Sequence, residues 1–178
     1  MAEMIYQRAR REAKEIRRGF EVGRSGTADL EKIALELGAE VYFANLEKNL
    51  AGFIIREPSD AFANIFINSN DTLTRQRFTL AHEIGHLVDR RVVYDDDPEY
   101  SFMDYRDQRS DRQERDGLHE FFADEFACEL LMPALPFLTA YFEDGKYAVA
   151  NKFGVSLSAV EKRFRRLQVH EPEELAGV

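Results

Sequence analysis

Residues 77–91 read RFTLAHEIGHLVDRR and place two histidines and a glutamate, His82, Glu83 and His86, in the pattern H-E-x-x-H. On an α-helix, which turns about 100° per residue, His86 lies about 40° from His82, Glu83 lies about 100° from it, and the two imidazoles are about 6 Å apart along the axis. The apolar residues of the stretch fall on the opposite side. We therefore expect the apolar face to pack on the core and the histidines to line a cleft, where both rings can reach one ion.

Two neutral imidazoles are suitable zinc ligands, but a catalytic zinc site also needs a third protein ligand and an open position for water. The pattern by itself is equally compatible with a polar helix face that carries two solvated histidines. A third ligand elsewhere in the chain would distinguish a metal site from an ordinary helix.

The helical stretch LHEFFADEFACELLM at 118–132 offers such a ligand. With Glu120 at 0°, Asp124 falls at about 40°, whereas Glu125 and Glu129 fall at about 140° and 180°. If Glu125 and Glu129 form the solvent stripe, Glu120 and Asp124 point into the protein, where unpaired carboxylates would cost several kcal/mol. Zinc bound to Glu120, and the N–H of a zinc-bound histidine donating to Asp124, would satisfy both carboxylates.

Two alternatives to zinc ligation by Glu120 remain open at this point. Glu120 could pair with an arginine such as Arg75 or Arg77, or another acid from segment 95–116 could supply the ligand. His119 lies about 100° from Glu120 on the same helix and is not predicted to be a ligand.

Three short segments upstream have the composition of strands: EVYFANL at 40–46, AGFIIR at 51–56 and AFANIFIN at 61–68. Turn-forming residues separate them, so consecutive antiparallel pairing is the simplest topology. A helix from the N-cap candidate Thr27 to Gly38 precedes them. We predict an α+β fold in which a small antiparallel sheet of about three strands packs with the H-E-x-x-H helix, the Glu120 helix and a C-terminal helical pair.

The chain is long enough for one ordinary domain, which we place at 27–178 after an N-terminal helical arm at 1–26. A thin helical stripe within 3–20 indicates a packing helix or a frayed arm. The charged segment 91–117 has few periodic apolar residues and predicts a loop or flap. Residues 146–168 predict a helix-turn-helix-like pair.

The formal charge is −9, from 24 basic and 33 acidic residues, which argues against a surface that binds nucleic acid throughout. Cys128 is the only cysteine, which excludes an internal disulfide or a cysteine-only zinc site and fits a reducing compartment. No run of about 18 apolar residues is present, and the first residues contain no apolar signal-peptide core. We therefore expect a cytoplasmic protein without a membrane partner.

The stretches RQRFTLAHEIGHL at 75–87 and EFFADEFACELLMP at 120–133 resemble the ImmA/IrrE-like zinc metallopeptidases, and looser similarity extends over 27–168. This resemblance implies a gluzincin-like site with zinc as cofactor. Its ligands would be His82, His86 and Glu120, with Glu83 as catalytic acid/base and Asp124 in contact with a ligand histidine. Family members more often have Asn at the last of these positions.

The resemblance also implies a regulatory protease that cleaves a helix-turn-helix repressor of a mobile element or stress regulon. In gluzincins the substrate lies along an edge strand beside the active-site helix, which suggests that 61–68 pairs with substrate. A metzincin site is not indicated, because the sequence after His86 does not continue as H-x-x-G-x-x-H. Four side chains are candidates for an additional oxyanion donor, and the sequence does not choose among them: Tyr94, Tyr100, Tyr105 and His119.

A non-proteolytic function is the main alternative. Segment 146–168 contains one acid and six basic residues, which would suit a regulator or antitoxin that binds DNA or a repressor: Lys146, Lys152, Lys162, Arg163, Arg165 and Arg166. Direct nucleic-acid binding is the weaker of these hypotheses, since the apolar residues of the same segment also suit simple packing on the peptidase core. A purely structural metal is a third possibility.

Overall fold

The computed structural model describes residues 3–58, 60–94, 102–107, 114–172 and 175. The elements in these residues confirm the α+β class. Two helices precede the first strand, and the fourth strand lies between two of the later helices. The elements are α1 (Ile5–Gly19), α2 (Ala28–Glu36), β1 (Ala39–Ala44), β2 (Leu50–Arg56), β3 (Ala63–Asn68), α3 (Leu73–Tyr94), β4 (Phe102–Asp107), α4 (Glu114–Leu131), α5 (Ala134–Phe153) and α6 (Leu157–Val169).

The sheet is mixed, with strand order β1-β3-β2-β4. Strands β2 and β3 are antiparallel neighbours, with Phe53 opposite Phe66, and β4 is antiparallel to β2. Strand β1, however, runs parallel to β3, with Ala39 opposite Ala63. The three predicted strands are therefore present, and consecutive antiparallel pairing is confirmed for β2 and β3. It was wrong for β1 and β2, because β3 lies between them and pairs parallel with β1.

Strand β3 is an interior strand, because its backbone pairs with β1 on one side and β2 on the other. An interior strand has no unpaired edge to offer a peptide. The expectation that 61–68 pairs with substrate was therefore wrong, and the edges of the described sheet are β1 and β4.

Segment 91–117 contains more regular structure than the predicted loop. Helix α3 continues to Tyr94, β4 occupies Phe102–Asp107, and α4 begins at Glu114. Its remaining positions lie outside the described residues. The sequence of β4, FMDYRD, lacks the clean alternation that marks a half-buried strand, so pattern reading missed it.

Helices α3 and α4 pack unusually closely at Gly85. A Cβ atom on Gly85 would lie 2.8 Å from the Cα atom of Ala123. Only a residue without a side chain allows this separation, and it lets the ligand-bearing faces of the two helices approach each other.

Helix α1 packs on α4, and its Ala9 and Ala13 are buried. The N-terminal segment thus contains a packing helix rather than a frayed one. The division at residue 26 stays a prediction.

The C-terminal pair consists of the second half of α5 and all of α6. Gly154, at φ 64°, joins them, and a side chain there would overlap the backbone oxygen of Arg24. Gly145, at φ 79°, interrupts α5 at the start of the pair. Val155, Val160 and Leu167 are buried against the rest of the protein. None of the described helices has the length and apolarity to cross a membrane.

Candidate metal centre

His82 and His86 lie one turn apart on α3 and are 0% and 1% exposed, and Glu83 between them is 0% exposed. The helical wheel predicted that this face lines a cleft, whereas the three side chains are almost completely buried. The wheel records only the polarity of a face, and here α4 covers the polar face as well. A polar group that is buried in this way needs a partner or an ion.

Helix α4 brings Glu120 to the two imidazoles. The Nε2 atoms of His82 and His86 are 3.1 Å apart. One carboxylate oxygen of Glu120 is 3.5 Å from His82 Nε2, and the other is 3.4 Å from His86 Nε2. The three side chains each offer one donor atom, and these atoms lie within 4.8 Å of one another.

These separations fit a tetrahedral zinc ion. Two ligand atoms about 2.0–2.1 Å from such an ion are about 3.3–3.4 Å apart. The two Nε2 atoms are 3.1 Å apart, and each lies 3.4 or 3.5 Å from a different oxygen of Glu120, so these spacings are close to that value. Two imidazoles and one carboxylate are also a donor set that zinc uses in catalytic sites. The arrangement is therefore a possible metal site whose geometry and chemistry both suit zinc.

Asp124 determines which nitrogen of His82 faces the other ligands. Its Oδ1 is 3.1 Å from His82 Nδ1. Burial raises the pKa of Asp124, but His82 and Lys162 beside it outweigh burial and hold the pKa well below its usual range. The ionised carboxylate can only accept, so His82 Nδ1 carries the proton and its Nε2 lone pair is directed at Glu120 and His86.

Two cations from α6 contact the second oxygen of Asp124. Lys162 donates to Oδ2, and Arg166 Nη2 donates to the same oxygen at 3.2 Å. Sequence reasoning had counted both cations in a basic patch that could bind DNA. Their role as partners of Asp124 could not be read from the chain, since 38 and 42 residues separate them from it.

Glu120 is ionised in this arrangement as well. Burial raises its pKa, but the adjacent imidazoles of His82 and His86 together lower it further than burial raises it. The alternative partners for this carboxylate are engaged elsewhere: Arg77 donates to Asp29 at 2.8 Å, and Arg75 pairs with Asp71 at 3.0 Å.

Glu125 and Glu129 do not form a solvent stripe, and that prediction was wrong. They are 0% and 1% exposed. Glu125 accepts from Arg10 of α1 at 2.7 Å and from Arg163 of α6 at 3.0 Å, and Arg163 also pairs with Glu129. Helix α4 is therefore buried on the face of Glu125 and Glu129 and partly buried on the other charged face. Glu120 and Asp124 face the histidines even though the premise used to place them fails.

His119, which was not predicted to be a ligand, pairs with Asp89 of α3. The side chains of the oxyanion candidates Tyr94, Tyr100 and Tyr105 lie outside what the structure describes. Most of the acids of 95–116, the alternative ligand source, lie outside the described residues too.

Four of the six basic residues of 146–168 form ion pairs within the protein. Lys146 pairs with Glu161, Lys162 with Asp124, Arg163 with Glu125 and Glu129, and Arg166 with Glu125 and Asp124. Arg163 is completely buried. The positive charge that suggested nucleic-acid binding is thus largely matched by carboxylates of the same molecule.

Residues 34–165 match the sequence model of a peptidase family, described as the IrrE N-terminal-like domain. No curated protein matches the chain. Among solved structures ten chains match, including a Mycobacterium tuberculosis transcriptional regulator with a TM-score of 0.60 and 17% identity, over 96% of this chain and 48% of that one. The chain thus spans about half the length of that regulator, and the likeness shows a shared fold.

Proposed function

The chain belongs to the IrrE N-terminal-like peptidase family, and we propose that it is a zinc-dependent endopeptidase. His82, His86 and Glu120 would hold the ion, and Glu83 would be the catalytic base. The observation that carries this proposal is the convergence of two Nε2 atoms and one carboxylate from α3 and α4, at the spacing of zinc ligands. The four residues occupy the positions that the family resemblance assigns to these roles.

Zinc bound there would supply a Lewis acid that polarises the scissile carbonyl and makes water reactive at neutral pH. Glu83 would accept a proton from the attacking water while the water oxygen bonds to the carbonyl carbon. The same carboxyl group would then return the proton to the amide nitrogen as the C–N bond breaks. Asp124 would hold His82 in the required tautomer throughout.

We propose a helix-turn-helix repressor of a mobile element or stress regulon as substrate. The family resemblance is the basis of this assignment, and the solved structure with the same fold is itself a transcriptional regulator. Such a substrate places the enzyme in the cytoplasm. Cys128 is a free, buried thiol, and burial raises its pKa to about 11. A free thiol is compatible with a reducing compartment.

A regulator that binds DNA through 146–168 is the second candidate. The internal ion pairs of four of its six basic residues weaken it, since those charges already neutralise carboxylates. A protein that binds a repressor without cleaving it would not need an acid/base at Glu83. The same holds if the metal is only structural.

The substitution Glu83→Gln separates these functions. The zinc-loaded wild-type chain should cleave one of the repressors encoded beside its gene, with the cut located by mass spectrometry and abolished by chelator. Glu83→Gln should keep zinc and lose at least about a hundredfold in cleavage rate, because the base is gone. Full regulatory activity in Glu83→Gln would instead establish the binding function, and a chelated chain that unfolds with no cleavage to lose would establish a structural metal.

A further inference from the structure

A cavity of about 490 Å³ opens between the start of β2, the first turns of α3 and the first turns of α6. Its lining includes three cationic side chains, Arg75, Lys162 and Arg165, and three apolar residues, Ala51, Phe78 and Ala159. The remaining lining residues carry hydroxyl groups, and none of the described residues that line it carries a carboxylate.

The ionisable residues in the described lining of this cavity are all basic, in contrast to the net negative charge of the chain. The chain carries a formal charge of −9, yet the cavity has three cations at its wall. Arg165 makes its described hydrogen bond to a neutral group, the backbone oxygen of Glu161, at 3.3 Å. Arg75 pairs with Asp71 at 3.0 Å and Lys162 pairs with Asp124, so among the described lining residues Arg165 carries the least compensated charge. A concave site with such a wall favours an anionic group over a neutral one.

The cavity continues the face of α3 that carries the metal ligands. Arg75 precedes His82 by seven residues, which places it about 20° from His82 around the helix and about 10 Å away along the axis. Lys162 connects the cavity wall to the metal centre directly, since it pairs with Asp124, the partner of His82. An extended peptide advances about 3.3–3.6 Å per residue, so the cavity is about three residues from a scissile bond at the metal.

We propose that this cavity is a substrate subsite that accepts an acidic side chain, Asp or Glu, about three residues from the scissile bond. The inference rests on the proposed peptidase function and adds a substrate class to it. The apolar lining residues can contact the methylene groups of the acidic residue, and the cationic ones can bind its carboxylate. A nucleic-acid backbone fits less well, because it needs cations spread along an extended surface, and the neighbouring basic residues of α6 are paired internally.

Cleavage of a peptide library by the full-length, zinc-loaded chain tests the subsite. We expect Asp and Glu to be enriched about three residues from the cut, with an enrichment that shrinks as salt is added. Arg165→Glu should reduce cleavage of acidic peptides relative to neutral ones by on the order of tenfold, through like-charge repulsion. Arg75→Gln should reduce the same ratio, and it serves as the second variant if Arg165→Glu fails to fold.

Lys152→Glu is the matched control, because it makes the same charge change at an exposed position of α5 that does not line the cavity. It should leave the acidic-to-neutral ratio unchanged. Cleavage without acidic enrichment, or an equal effect of Lys152→Glu and Arg165→Glu, would overturn the subsite while leaving the peptidase function intact.

Binding provides a measurement that does not depend on turnover. A fluorescent glutamate-rich peptide should bind zinc-loaded Glu83→Gln more tightly than a neutral peptide of the same length, and Arg165→Glu introduced into that chain should remove the difference. If no peptide is cleaved but this preference is present, the peptidase function fails and the anion site stands. Equal binding of both peptides, or tighter binding of a labelled DNA duplex that Arg165→Glu abolishes, would overturn the acidic-peptide subsite.

Discussion

Asp124 has two carboxylate oxygens with different tasks. Oδ1 faces His82 Nδ1, and Oδ2 receives Lys162 and Arg166 from α6. The cations keep the carboxylate charged in a site where burial alone would favour its neutral form. The C-terminal helix therefore helps to set the tautomer of a proposed zinc ligand.

Replacing Asp124 by Ala should weaken zinc binding by about 10- to 100-fold, the usual effect of removing a group that orients a ligand histidine. Competition with a chromophoric chelator measures this change. Glu161→Ala is a suitable control, because it removes an exposed acid that pairs with Lys146 away from the metal centre. Equal zinc affinities for Asp124→Ala and the wild type would show that Asp124 has no such role.

The placement of single residues on α4 shows what sequence reasoning can and cannot supply. The solvent-stripe premise that turned Glu120 and Asp124 inward was wrong, but their shared face on α4 followed from helical spacing. The burial of Glu125 did not, because a helical wheel assigns charged residues to solvent and does not include partners on distant segments. Arg10, which donates to Glu125, is 115 residues away in the chain.

At the scale of elements, the candidate metal centre depends on the contact between α3 and α4. Gly85 lies within the H-E-x-x-H motif and meets Ala123 one residue before Asp124. The spacing of the motif predicted α3 and the stretch 118–132 predicted α4, but the closeness of the two helices was not foreseen. The strand order could not be predicted from the sequence either, because neither β1 nor β3 contains a local sequence pattern that indicates their parallel pairing.

Gly85→Ala should force α3 and α4 apart and destabilise the protein by about 1–3 kcal/mol, because the added methyl group would meet the backbone of α4. Zinc affinity should fall too, since the helices carry the ligands. Urea unfolding and chelator competition measure the two effects. Gly117→Ala on α4 is the control: its Cβ would meet nothing within 4 Å. An equal response in both variants would refute the importance of the close contact.

At the scale of the molecule, a buried ion network ties the two ends of the chain to α4. Arg10 of α1 and Arg163 of α6 both donate to Glu125. Burial raises the pKa of Glu125, but Arg163 and Arg10 outweigh that effect and keep it below its usual range. Helix α1 thereby becomes part of the support of the helix that carries Glu120 and Asp124.

Arg163→Met should lower the free energy of unfolding by about 3–5 kcal/mol, because it leaves Glu125 and Glu129 with too few buried partners. Urea denaturation monitored by circular dichroism measures the loss. Lys146→Met breaks the exposed pair with Glu161 and should leave the free energy of unfolding nearly unchanged. Similar losses in the two variants would mean that the buried network does not support the fold.

Zinc stoichiometry and affinity, measured by elemental analysis and chelator competition on the wild type and Glu120→Ala, test the central claim most directly. We predict one tightly bound zinc per wild-type chain and a severe loss of affinity in Glu120→Ala, because α4 would no longer supply the third ligand. A wild-type chain that binds no zinc, or a Glu120→Ala variant that binds it as tightly as the wild type, would contradict the account.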